Sequence, residues 1–173
     1  IGKEKEALAY FLQLEKEYTE LKTEASKTKK QPIVLSGNLW GETWFSPSGE
    51  SFNAVLFKDA HVRYRYADSK GTGSLALTME KILSDNVETD FWINPGQFTS
   101  MGEILKTNSN YKYFKAVQNK NIYTSSSKKG KTGGVIFYEL APNRPDLVLK
   151  DIVKILHPEV LPDYELYFFE KLK

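Results

Sequence analysis

Beyond Pro32 the chain alternates short apolar runs with stretches of helical periodicity, and this alternation most narrows the folds open to it. Parallel strands need a long crossover between them, usually a helix, and strands covered on both faces read as unbroken apolar runs. Runs of that kind lie at 33–35, 62–66, 90–93, 121–123 and 165–169, separated by helical patterns at 51–58, 78–83, 99–106, 133–140 and 145–156. The pattern predicts an α/β fold with a mostly parallel sheet flanked by helices. Helix boundaries carry matching chemistry: Ser48 or Ser51 and Thr78 are N-cap residues, and Pro145 suits a first turn.

Residues 3–29 read as one long, charged helix with Leu8, Phe11, Leu12, Tyr18 and Leu21 near one face. Glu4, Glu6, Lys16, Glu20, Glu24 and Lys27 supply a solvated remainder. Such a helix packs by one stripe, and its apolar pattern is too short for a coiled coil. Pro32 ends it, because the residue before proline is pushed toward extended geometry.

The segment 36–50 then reads as a turn-rich loop holding Trp40, Trp44 and Phe45. Indoles in a loop without a core of its own predict an exposed contact surface, against the plainer reading that both cap the edge of a sheet.

Composition removes several function classes. A net charge of +2, with aromatics not interleaved along basic stripes, argues against nucleic acid as a partner. Without cysteine there is no disulfide, no thiolate metal site and no cysteine nucleophile. No apolar run reaches the roughly 20 residues of a membrane-spanning helix. His61 and His157 are the only histidines, and His157-Pro158 suits a helix end better than catalysis. The carboxylates Glu42, Glu50, Asp59 and Asp68 show no spacing that makes two converge, although a doubly wound hydrolase or transferase using Glu42 and Asp68 is the alternative. Gly130-Lys131-Thr132-Gly133-Gly134 lacks the preceding buried strand of a P-loop, so it reads as a flexible loop whose lysines attract anionic groups. Any metal would arrive already chelated, since the chain has no cysteine and no paired histidine spacing with which to bind one itself.

Four segments together resemble the carboxy-terminal lobe of ABC-importer substrate-binding proteins for iron-siderophore, haem and cobalamin ligands, the class with a rigid interlobe helix. They are the long helix; 32–60, with Ser48-Gly49-Glu50; Leu77 to Leu83 followed by Asp90-Phe91-Trp92-Ile93-Asn94-Pro95-Gly96; and Asn143 to Ile152 running into His157-Pro158-Glu159.

The resemblance implies residues 1–31 as the interlobe helix, 32–173 as the ligand-binding lobe, and an amino-terminal lobe absent from this chain. It also implies a non-catalytic role with no resident cofactor. Ligand contacts would come from Trp40, Trp44, Phe45, Ser69, Gly73, Ser74, Asn94, Gln97 and Phe98, with Tyr123 and Lys128 to Lys131 as further candidates. Glu50 takes the position of the family glutamate that docks onto permease arginines. The implied setting is periplasmic or extracytoplasmic, lipid-anchored, monomeric when intact, and partnered by an inner-membrane ABC permease.

Overall fold

A computed structural model describes residues 2–173. Helix α1 (Glu4–Ser26) leads into β1 (Ile33–Ser36), a hairpin of β2 (Asn38–Trp40) and β3 (Thr43–Pro47), and α2 (Phe52–Asp59). Then come β4 (Arg63–Tyr64), β5 (Ser74–Leu77), α3 (Met79–Asn86), β6 (Phe91–Ile93), α4 (Met101–Thr107), α5 (Lys115–Gln118) and β7 (Ile122–Thr124). The chain closes with α6 (Ile136–Leu140), α7 (Pro145–Leu156) and β8 (Glu170–Lys171).

The main sheet has the order β4-β1-β6-β7-β8, parallel except for β8. Its strands are apolar on both faces because both are covered. Val34 and Ile93 point into a core shared with Phe57, Val148, Ile152 and Phe168, beneath α1, α2 and α7. Their neighbours Leu35 and Trp92 point the other way, into a core with Trp44, Ile82, Ile104, Tyr111 and Phe114. The mostly parallel sheet flanked by helices is the architecture the alternation predicts.

Several boundaries differ from expectation. The pattern at 62–66 pairs only at Arg63–Tyr64, because the chain turns at once onto 67–71. The run at 165–169 is not a strand. Asp151 on α7 accepts hydrogen bonds from the amides of Tyr167, Phe168 and Phe169 and from the Tyr164 hydroxyl, which occupies the backbone groups a ladder would need. Pairing with β7 starts only at Glu170 and is antiparallel. The helix at 133–140 shortens to Ile136–Leu140, since 128–135 folds back on itself through a Lys129–Val135 bridge.

Ser51 and Thr78 cap α2 and α3, accepting from the amides of Ala54 and Lys81. Ser100 caps α4 while Glu103 returns to the Thr99 amide, a reciprocal pair that fixes the helix start at Met101.

Helix α1 packs by its second half alone. Leu21 and Ala25 are buried, Tyr18 donates to Asp59 at 2.7 Å, Lys22 pairs with the same carboxylate at 2.8 Å, and Glu17 pairs with Lys150 at 2.8 Å. In the first half, Leu8 and Phe11 are exposed, so the single packed stripe expected along the whole helix is only partly engaged.

Candidate functional site

Numbered along the chain, the strands of the main sheet run 2-1-3-4-5, so the connections leave β1 in opposite directions on either side. In open α/β sheets the crevice lies outside the carboxyl ends of the strands at such a reversal. Here it falls between the ends of β1 and β6, at Gly37-Asn38 and Asn94-Pro95-Gly96.

These tips are braced against one another. The Trp92 indole N–H donates to the Gly37 carbonyl at 2.9 Å, and the Ser126 hydroxyl donates to the Gly96 carbonyl at 3.0 Å. Asn94 sits in the left-handed region (φ 55°), and its Oδ1 accepts from the Ser125 hydroxyl at 2.8 Å. Gly96 is also left-handed, and a Cβ there would meet Asn38 Cγ at 2.9 Å, so only glycine lets the two loops touch.

Over this edge lies a second, antiparallel sheet in the order β2-β3-β5. Strand pleating gives it two unlike faces. Leu39, Trp44 and Leu77 stand opposite one another and turn into the core, followed by the pair Ser46 and Leu75. The other face is open: Trp40 beside Thr43, then the row Asn38-Phe45-Ala76, then Pro47 beside Ser74. Trp40 is 78% exposed and Phe45 40%. Asn38 joins this face to the tip of β6 through Gly96. The geometry is a platform that carries two exposed aromatics and no ionisable residue, beside a hydrogen-bonded polar rim.

The segment expected to be a loop is thus a hairpin, and Trp44 corrects the prediction for its indoles. Trp44 is fully buried, tilted against Trp92 and edge-on to Tyr111 and Phe114, with its N–H donating to Ser46 Oγ at 2.9 Å. It faces away from solvent because its position in the pleat is opposite to Phe45, so it supports the platform from beneath.

The remaining predicted contacts divide. Trp40, Phe45 and Ser74 share the open face. Gln97 is exposed and Asn94 half-buried at the β6 tip, while Phe98 packs partly against the core. Ser69 and Gly73 brace a turn: the Ser69 hydroxyl accepts from the Gly49 amide and donates to the Tyr66 carbonyl, and the Gly73 carbonyl accepts from the Ser48 amide. Tyr123 is half-buried against the first core. Lys128 donates to the carbonyls of Leu166 and Tyr167, which takes it out of the loop expected to attract anions.

Sequence reading missed Asn38, Thr43 and Ala76 as members of the face. The signal was present, since Leu39, Trp44 and Ser46 alternate with polar or exposed neighbours about a turn at Gly41 (φ 59°).

Glu50 stands just before the α2 N-cap, exposed, its carboxylate accepting from the Gly71 amide at 2.7 Å and lying 3.6 Å from Lys70 Nζ. The other acidic candidates stay apart in function. Asp59 is held by Tyr18 and Lys22, whereas Glu42 and Asp68 are exposed on different turns. His157 is buried at the end of α7 with Nε2 3.1 Å from the Ala60 carbonyl, and burial pushes its pKa down. Among the described residues, no three His, Asp or Glu side chains gather as metal ligands, and no helix is long and apolar enough to cross a membrane.

Comparison with known proteins agrees with this architecture. The chain is 27% identical to an uncharacterized lipoprotein of Methanocaldococcus jannaschii over 98% of its own length and 39% of the relative's. It superposes on a TroA-like periplasmic binding protein, FepB, from Veillonella parvula with a TM-score of 0.69 and 18% identity, covering 100% of this chain and 58% of that one. A possible iron-binding, periplasmic solute-binding protein from Staphylococcus epidermidis gives 0.67 and 18%, covering 89% and 56%. The chain therefore spans less than two thirds of each. The family model described as periplasmic binding protein matches residues 1–128, and with the fold and its switch-point crevice this places the chain in the periplasmic binding protein family.

Proposed function

We propose that this chain is the carboxy-terminal ligand-binding lobe, with its connecting helix, of the substrate-binding component of an ABC importer. The cargo is an iron chelate or related metal-containing ligand of the siderophore, haem or cobalamin kind. The observation that carries the reading is the open aromatic face of the β2-β3-β5 sheet, with Trp40 and Phe45 exposed beside the switch-point crevice. Exposed aromatic faces at the carboxyl ends of parallel strands suit a flat, chelated ligand that is held without being transformed.

Residues 4–26 serve as the interlobe helix, and the exposed apolar side chains of its first half are where the amino-terminal lobe packs. Glu50 docks on the membrane permease, consistent with its exposed position before α2. The protein works outside the cytoplasmic membrane, held there by a lipid anchor, in keeping with the lipoprotein relative.

The test is titration of the full-length protein with haem, cobalamin and ferric siderophores, read by tryptophan fluorescence. Saturable quenching by one of them, weakened in Trp40→Ala, is the expected result; no response to any of them overturns the reading.

A further inference from the structure

The charge around the platform says which chelates it takes. No residue of the open face of the β2-β3-β5 sheet is ionisable, and its polar groups are the Asn38 amide and the Thr43 and Ser74 hydroxyls. The charge nearest along the chain is acidic: Glu42, exposed at the hairpin tip between Trp40 and Thr43.

Several cations on neighbouring elements are placed or engaged elsewhere. Arg63 pairs in register with Ile33 at the start of β1, the opposite end of the sheet from the crevice. Arg65 lies 3.8 Å from Asp85, and Arg144 makes a two-point pair with Asp146. Lys70 faces Glu50, and Lys128 is held by two backbone carbonyls. Lys129 and Lys131 are exposed in the loop after β7, outside the platform face.

We propose that this lobe selects chelates whose ligand shell is uncharged, and discriminates against those that carry carboxylate or catecholate charge. This rests on the ligand-binding reading above and narrows it. An anion moved onto this aromatic face loses its water shell and meets no cation on the face itself, with Glu42 adding repulsion. A neutral chelate loses less, stacks on Trp40 and Phe45, and meets hydroxyl and amide groups at its edge.

The experiment uses the full-length protein with four probes: cyanocobalamin and a neutral ferric trihydroxamate against haem and the triply negative ferric triscatecholate. At least one neutral probe should bind about tenfold or more tighter than either anionic one. Ala76→Lys, an exposed strand position, should narrow that ratio by strengthening the anionic probes, with the melting temperature confirming the fold. Anionic binding equal to or tighter than neutral binding overturns the proposal while leaving the ligand-binding reading intact; silence from all four probes overturns both.

Discussion

Gly49 lies so close to the Ala67 carbonyl that a β-carbon on it would sit 2.2 Å from the oxygen, and 2.4 Å from that of Ser69. The contact locks the Ser48-Gly49-Glu50 turn onto the loop that Glu50 and Ser69 also brace. Gly49→Ala must push two backbone segments apart, at about 1–3 kcal/mol. Its melting temperature should fall clearly, whereas Gly73→Ala, where a Cβ meets nothing within 4 Å, should stay within about 0.5 kcal/mol of the parent.

Trp40 and Trp44 are neighbours in the hairpin with opposite fates, and substitution should separate them. Trp44→Ala empties a packed aromatic cluster and leaves Ser46 without its indole partner, a loss of about 3–5 kcal/mol in chemical denaturation. Trp40→Ala should leave the denaturation midpoint nearly unchanged, since 78% of that residue is already in solvent. Its effect should appear in ligand titration instead.

The Asp59 carboxylate is shared by Tyr18 and Lys22 and ties α1 to α2. A double-mutant cycle with Tyr18→Phe and Asp59→Asn should give a coupling of about 0.5–2 kcal/mol in denaturant unfolding. A coupling indistinguishable from zero would mean that the Tyr18–Asp59 hydrogen bond adds nothing measurable and that α1 is held by Leu21, Ala25 and the pairs made by Lys22 and Glu17.

Acidification should weaken the fold in two stages. Burial holds the His157 pKa below its ordinary value, so the unfolded chain takes up a proton first, and stability falls as pH drops below about 6.5. Asp90 supplies the second stage. Burial alone would raise its carboxyl, but the Ile33 amide and the Lys115 ammonium outweigh that and hold it below the usual range. The stabilisation is complete above the unfolded pKa of about 3.9 and is lost as pH falls through the lower folded value. Denaturation midpoints across pH 3–8 should show both steps, with His157→Gln flattening the upper and Asp90→Asn the lower, the latter costing about 1 kcal/mol at neutral pH.

The sheet was legible because Val34, Leu35, Trp92 and Ile93 are apolar in succession, which only a strand covered on both faces tolerates. The caps at Ser51 and Thr78 were legible for an equally local reason. The platform was not. From sequence Trp44 reads as exposed surface rather than core, because its environment is built by Tyr111 and Phe114, far along the chain, and no local pattern announces them. The last strand failed for a similar reason. Phe168 and Phe169 look like strand residues, but their amides are claimed by a carboxylate on α7.

That carboxylate has a consequence for how the molecule is made. Asp151 orders the stretch leading to β8, and β8 covers the edge of β7. During synthesis on the ribosome, the β7 edge therefore stays open to stray pairing until residues 164–171 have emerged. Premature termination before that point should produce a chain that sticks to its neighbours rather than one that is merely shorter.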